Sequence, residues 1–301
     1  MGRLTAIVLG AAAGGGYPQW NCRCEVCRLA WERDPRVKAS TQASIAVSVD
    51  HERWTLVNAS PDLKAQLDGV MRLHPCDAPR SSPIGAVVLT GAEVDQVAGL
   101  LCLRERQPFG LHATRETLGT LDQNPIFEVL ARDIVSRHAV PLGEPFGLPG
   151  GLEAELFTVP GKVPLYLEGD APEIGVETGA TVGAEFRAGG KRLVFVPGAA
   201  AVTPAFKQRC ADADVVLFDG TLFTDDEMIR TRTGSKTGRR MGHIVIDGAD
   251  GSLAALADVG RRRIYIHINN TNPIRVAGSP ERRRVEAAGW EIAEDGMEIV
   301  L

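Results

Sequence analysis

The sequence predicts an α/β fold, one domain of two packed mixed sheets with helices on both outer faces, and three observations carry that prediction. Short apolar runs of strand length recur along the 301-residue chain, among them LTAIVL (4–9), IGAVVL (84–89), LEAELFTV (152–159), RLVFV (192–196), VVLF (215–218) and IYIHI (264–268). The last four deliver glycine or polar residues at their C-terminal ends: Gly161 and Lys162, Gly198, Asp219 to Thr221, and Asn269 and Asn270. Helix-like stretches are interspersed, and no linker or low-complexity tract divides residues 1–301. A sheet that releases polar residues from its strand ends exposes a site along that edge.

Composition narrows the partners. A globular chain of this length buries on the order of 75% of its unfolded surface, so a sizeable core is available. Hydrophobic residues make up 44% and charged residues 24%, and no segment approaches the roughly 18 apolar residues of a membrane span. MGRLT runs straight into a strand-like stretch without an export signal, so the cytoplasm is the expected compartment. A net charge of -5 argues against a nucleic-acid partner, and the arginine clusters Arg261 to Arg263 and Arg282 to Arg284 read as solvated element ends. Six cysteines in such a chain are not expected to form a disulfide framework.

In chain order, the first strand runs into GAAAGGG (10–16), a glycine loop followed by Tyr17 and Pro18. A dinucleotide-binding loop requires a helix directly after its glycines, so these glycines instead let the backbone pass close to a ligand or a neighbouring strand. Cys22, Cys24 and Cys27 then form Cys-x-Cys-x-x-Cys, three thiolates that suit a tetrahedral structural zinc short of one ligand. RLAWER (28–33) reads as a short helix closing this loop.

QASIAVSV (42–49) and WTLVN (54–58) flank a hairpin turn with His51 at its tip, a surface residue on this reading. Ser60 as cap and Pro61 at the first helical position introduce DLKAQLDG. Residues 74–83 form a loop, and VVLTGAEVDQVAGLL (87–101) reads as strand, carboxylate-rich turn and helix. His112 lies in a short strand after the Pro108 and Gly110 break. Arg115 to Leu121 is helical, and NPIFEV (124–129) leads into another helix. His112 and His138 lack partner spacing and read as structural. Ser279, Pro280, Glu281 and Gly289 punctuate the last helix.

Several long, unusually composed segments resemble one family. GAAAGGGYPQWNCRCEVC, SPDLKAQL, LTGAEVDQVAGLLCLRERQPF, VPGKVPLYL, FDGTLFTDDEMI, TGRRMGH and IHINNTNPI are together similar to the pyrroloquinoline quinone (PQQ) biosynthesis protein B family, from about residue 7 to the end. The resemblance implies a metallo-β-lactamase-like αββα sandwich over residues 1–301. It also implies a role in making the quinone cofactor from a Glu and Tyr cross-linked precursor. In that superfamily a strand ends in T-H-x-H-x-D-H and supplies ligands to two metals. Here the frame reads Thr90, Gly91, Ala92, Glu93, Val94, Asp95, Gln96. The frame survives without its histidines.

The carry-over places Glu93 where a metal-binding His would stand, Asp95 on the aspartate, and Gln96 on the final His. Lys162 falls near the third histidine segment, Asp219 on the bridging aspartate, His267 on the last metal-binding His, and His243 on a GH pair seen in some relatives. Two-metal hydrolysis needs several imidazoles and a bridging carboxylate with ions about 3.5 to 4 Å apart. Two histidines and three carboxylates suit one hard ion better, and imidazole with carboxylate and open positions is how non-haem Fe(II) is held for oxygen chemistry. The resemblance implies the same direction, an iron-dependent hydroxylase acting on the tyrosine-derived ring. Iron is expected on His267, Asp95 and Asp219, Glu93 serves as ligand or base, and His243 lies near.

Gln96, Lys162, Arg104 and Gly198 are the expected contacts to the quinone or its precursor. A carrier that binds PQQ or its precursor without turnover is the alternative, using cations such as Arg104, Lys162, Arg239 and Arg240. A metal-dependent hydrolase is a further one. The Asp95 and Asp219 carboxylates also admit a plain capping role. Some phosphodiesterases of the superfamily take a fourth zinc ligand three residues after the last catalytic His, which here is Asn270. That ligand stays open between Asn270 and a nearby group. A small-molecule precursor or PQQ is the expected partner, with a homodimer left open.

Overall fold

The computed structural model describes residues 2–169 and 173–301. Fourteen strands are present among them: β1 Thr5–Gly10, β2 Ser44–Ser48, β3 Trp54–Val57, β4 Ile84–Val88, β5 Phe109–Ala113, β6 Val135–Ala139, β7 Pro145–Leu148, β8 Leu152–Gly161, β9 Val176–Ala188, β10 Lys191–Val196, β11 Val215–Asp219, β12 Arg262–Ile266, β13 Trp290–Ile292 and β14 Glu298–Val300. They form two seven-stranded sheets, ordered β14-β1-β2-β3-β4-β5-β6 and β13-β12-β11-β10-β9-β8-β7. Both are mixed: β3 to β6 and β10 to β13 run parallel to their neighbours, whereas β14-β1-β2-β3 and β7-β8-β9-β10 are antiparallel.

Side-chain alternation explains the layering. In β11, Val215 and Leu217 join the core between the sheets, while Val216 and Phe218 face the opposite way. β10 does the same, with Leu193 and Phe195 inward and Val194 and Val196 outward. The central core therefore draws on both sheets, from Val8, Val47 and Val88 to Leu156, Phe186 and Ile266. One outer layer packs Leu63, Leu100 and Leu118 on the first sheet; the other packs Phe206, Val285 and Trp290 on the second. Strands covered on both faces read as continuous apolar runs, which is why the parallel ones stood out in the sequence.

The helices are α1 Glu25–Trp31, α2 Leu63–Gly69, α3 Val94–Val97, α4 Arg115–Asp122, α5 Pro204–Ala211, α6 Glu227–Arg230, α7 Ser252–Ala255 and α8 Pro280–Ala287. None is long and apolar enough to cross a membrane. The last helix follows its signals, with the Ser279 hydroxyl accepting from Arg282 N at 3.0 Å and Gly289 at φ 77°.

Other expectations are corrected. α1 begins at Glu25, not Arg28, because the Cys24 sulfur caps it by accepting from Cys27 N at 3.4 Å. α2 begins at Leu63 after Asp62; Ser60 holds Asp62 N at 3.2 Å within the preceding turn instead of capping the helix. The helix expected after Glu93 is a single turn, continued as a 3-10 helix over Ala98–Leu103, and residues 125–129 are also 3-10. β12 ends at Ile266, leaving His267 outside the strand with φ 56°.

Candidate metal centre

The strand ends that deliver polar residues meet at one edge of the sandwich. Asp219 closes β11 opposite Ile266 of β12, so His267 emerges beside it. Asp95 arrives from the other sheet, one residue into α3, and His267 Nε2 lies 2.9 Å from Asp95 Oδ2. The fourth member, His243, comes from the loop after α6. Its Nδ1 is 2.7 Å from Asp219 Oδ2, and its ring stacks on that of His267 with centroids 5.3 Å apart. Gly198 makes room for it: a Cβ there would stand 3.3 Å from His243 Cε1. Donor atoms of Asp219, His243 and His267 all lie within 4.8 Å of one another.

Asp219 is fully buried, and every partner it has supports the ionised form. Its Oδ1 accepts from Thr221 N at 3.0 Å and from the Thr221 hydroxyl at 2.6 Å, and its Oδ2 accepts from Ala199 N at 3.0 Å. Burial alone would raise the pKa of Asp219, but the His243 charge and these contacts outweigh it and hold the carboxyl below its ordinary range. The same balance lowers Asp95, where burial opposes and the His267 contact prevails. Burial disfavours a charged His267, yet Asp95 and Asp219 outweigh it and raise the imidazole.

Thr221 Oγ1 lies 2.9 Å from His267 Nδ1. With its proton given to Asp219, the hydroxyl accepts from Nδ1–H, which leaves the Nε2 lone pair facing the Asp95 carboxylate. Two lone pairs at 2.9 Å require a positive charge between them. A proton meets that need, and so does a metal ion: ligands of an octahedral ion bound at ~2.1 Å sit about 3 Å apart. The donor set fits one divalent cation, with the second imidazole nitrogen held by an outer partner as ligating histidines usually are.

A cavity of about 460 Å³ opens over these groups, walled by Glu93, Asp95, Lys162, Glu168, His243 and His267 among others. Gln96 and Gly198 also border it. Glu93, expected as ligand or base, has its Oε1 held by Lys162 Nζ and by Leu165 N, each at 3.0 Å. Gln96, on the final-His position, accepts from Glu93 N at 3.1 Å and supports the turn. Arg104 is not part of the cavity wall; it is exposed, donates to Leu101 O and faces Glu105. Arg239 points to Asp250, whereas Arg240 reaches Glu168. Thr221, Glu168 and Lys236 were not singled out from the sequence. Thr221 follows the glycine after Asp219 in FDGT, and that juxtaposition was the available signal.

The cysteines form a second cluster. Sγ atoms of Cys22, Cys24 and Cys27 lie within 4.8 Å of one another. The Asn270 side-chain amide closes the fourth side, 3.1, 4.0 and 3.2 Å from the three sulfurs. The Cys24 thiol donates to Cys27 and, with the Asn270 amide, holds the Cys27 thiol below its ordinary range against the opposing effect of burial. Thiolates suit zinc, and sulfurs around a tetrahedral ion bound at ~2.3 Å stand roughly 3.8 Å apart, so this cluster fits one. Turning the Asn270 amide over would present its oxygen to the ion.

Comparison with known proteins agrees with this architecture. A family model described as the β-lactamase superfamily domain matches residues 53–268. A coenzyme PQQ synthesis protein B from Methylobacterium nodulans is 56% identical over 299 residues, covering 99% of this chain and 100% of that protein. The chain belongs to the coenzyme PQQ synthesis protein B family. A member from Rhizobium meliloti is 54% identical over 99% of this chain and 98% of its own length. The crystal structure of Zn(2+)-bound PqqB from Methylobacterium extorquens superposes with a TM-score of 0.97 at 54% identity, covering 99% of this chain and 100% of that one. A diphosphatase of the PhnP family, 19% identical with a TM-score of 0.67 over 99% of this chain and 97% of that one, shares the fold. The family's sandwich is thus the fold expected from the sequence.

Proposed function

We propose that the chain acts in PQQ biosynthesis as an iron-dependent hydroxylase of the tyrosine-derived ring of the Glu–Tyr cross-linked precursor. The observation that carries this reading is the convergence of Asp219, His243 and His267, two imidazoles that line a cavity and one carboxylate fully buried against them. That donor set with open positions is the one non-haem iron uses; bound iron would supply oxygen activation, with one oxygen atom going to the ring and the other leaving as water at the expense of a two-electron reductant. Asp95 lies against His267 Nε2 and either shares the ion or fixes the ring. Thr221 orients His267 and Asp219 together. The Cys22, Cys24, Cys27 and Asn270 cluster holds a structural zinc.

A carrier reading is favoured by one observation, the cations that face the cavity at Lys162 and Lys236, which suit a ligand rich in carboxylates. Anaerobic iron titration followed by oxygen uptake with a Tyr-derived catechol separates the two. A hydroxylase consumes oxygen only with iron present and loses that uptake in Asp219→Ala and His267→Ala. PQQ binding without iron-dependent uptake supports the carrier, and unchanged iron binding in both variants refutes the assigned ligands.

A further inference from the structure

Glu168 sits in an unusual place for a carboxylate. Its side chain is only 7% exposed and is surrounded by three cations: Lys162 Nζ at 2.9 Å, Arg240 at 3.2 Å and Lys236 Nζ at 3.6 Å. Lys162 has a second carboxylate partner in Glu93. Among the described residues, Lys236 and Arg240 have no carboxylate partner except Glu168. Among the described residues, three cations against two carboxylates leave the group one positive charge in excess, and Lys162, Lys236 and Glu168 form part of the cavity wall.

The two sides of this cluster come from different segments. Lys236 and Arg240 ride on the loop that also delivers His243 to the metal centre. Glu168 and Lys162 belong to the segment after β8, which crosses the cavity and is tied to the first sheet by Leu165 N to Glu93 and by the Tyr166 hydroxyl to Ala92 O at 2.6 Å. Two of the three cations, Lys236 and Arg240, are therefore supplied by the loop, while Lys162 and the occupant Glu168 are carried by a separate piece of chain. Several side chains of that piece, Leu165, Tyr166 and Leu167, are about half exposed, so little apolar packing fixes it.

We propose that Lys162, Lys236 and Arg240 form a carboxylate-binding subsite of the cavity, and that Glu168 occupies it as an internal stand-in which a ligand carboxylate displaces. This deepens the functional reading above by naming how the precursor's carboxylates are gripped, and it rests on that cavity receiving a polycarboxylate. Bidentate geometry favours the Arg240 guanidinium as the orienting group, with the two lysines as point charges. An occupant that must leave reduces apparent affinity by the fraction of molecules in which the subsite is open, so removing its charge removes that penalty.

Binding is measured by calorimetry on zinc-loaded, iron-free protein with PQQ, and separately with benzene-1,3,5-tricarboxylate, which offers carboxylates without the quinone. Glu168→Gln is expected to tighten both probes roughly tenfold. Lys236→Met and Arg240→Met are expected to weaken both by a similar factor, in the natural background and in Glu168→Gln alike. Unchanged or weaker binding in folded Glu168→Gln overturns the stand-in role. Unchanged binding in both cation variants overturns the subsite even if Glu168→Gln fails to fold, and so does absence of binding throughout. None of these readouts involves turnover: iron-dependent oxygen uptake with no effect in this series defeats the subsite alone, whereas the expected series without uptake defeats the hydroxylase reading alone.

Discussion

Thr221 is the residue on which the geometry of the metal centre turns, because one hydroxyl lies 2.6 Å from Asp219, 3.1 Å from His243 and 2.9 Å from His267. Thr221→Val keeps its shape and removes every one of those contacts. Outer partners of this kind are worth ~10–100-fold in metal affinity, so the variant is expected to lose iron affinity by that factor while retaining zinc; equal affinity in a chelator competition would reject the role. Arg275 is a second residue of this kind. It is buried, lies 4.5 Å over the Tyr17 ring, and donates to the carbonyls of Asn269 and Ile268 without a carboxylate within salt-bridge reach among the described residues. Burial pushes its pKa down to about 10. Arg275→Met removes two charge-assisted hydrogen bonds, although Ile268 O keeps Ala13 N and Asn269 O keeps Asn272 N, and is expected to cost about 2–3 kcal/mol in denaturant unfolding. Asp219, His243 and His267 were named from the sequence because each stands in a long, distinctive segment, although the expected ligand set was His267, Asp95 and Asp219, with His243 only near. The roles of Thr221, Glu168 and Arg275 were not legible, because they depend on which atoms lie within 3 to 4 Å after folding; Thr221 offered only its place in FDGT.

At the scale of elements, α6 hides a carboxyl whose titration has a readable sign. Glu227 is 1% exposed, and burial raises its pKa from 4.5 to about 7, against the opposing pull of the Thr271 hydroxyl at 2.6 Å and Phe223 N at 2.7 Å. Folding thus favours the protonated acid. Below pH 4.5 both folded and unfolded chains hold the proton and no penalty exists; between 4.5 and about 7 the folded state alone retains it. The stability contribution is consequently lost as pH rises through about 7, by ~3 kcal/mol at most. Glu227→Gln is expected to flatten this segment of the stability-against-pH curve. A slope identical to that of the natural chain would show that Glu227 does not titrate there. Element prediction itself succeeded where capping chemistry is local, as at Ser279 and Pro280. It failed at β9, whose VETGATVGAEFRA lacks an apolar run: the strand is made by pairing with β8 and β10 on either side, and its Gly183 accommodates Phe157, whose ring would lie 2.3 Å from a Cβ. It also failed at α1, where the capping atom is a cysteine sulfur.

Across the whole molecule, the two metal clusters are joined by one short piece of chain. His267 and Asn270 are three residues apart, and the turn between them is bound to distant segments by Ala13 N to Ile268 O and Ile268 N to Ala11 O, at 2.8 and 2.9 Å. The glycine loop 10–16 therefore packs along a neighbouring strand end, with Gly14 also reaching the cavity beside Asp95. These long-range pairings were invisible in the sequence, which displays local patterns but not which distant edge a loop will meet. Their consequence is a coupling between sites. Zinc on Cys22, Cys24 and Cys27 would fix Asn270, whose side chain lies 3.1 and 3.2 Å from the Cys22 and Cys27 sulfurs, three residues from His267 at its strained φ of 56°. An ion that binds only the folded chain adds stability by mass action, so Cys27→Ser is expected to lower Tm by several degrees and make it insensitive to added zinc. Because the same turn positions His267, the variant is also expected to bind iron ~10-fold more weakly at a temperature where it is fully folded. Reciprocity requires that iron bound at Asp219, His243 and His267 strengthen zinc affinity in the natural chain by the same factor, measured as a lower zinc dissociation constant in equilibrium competition with a colorimetric chelator. Unchanged zinc affinity with iron bound, together with unchanged iron affinity in Cys27→Ser, would show that the two clusters are independent despite the turn they share.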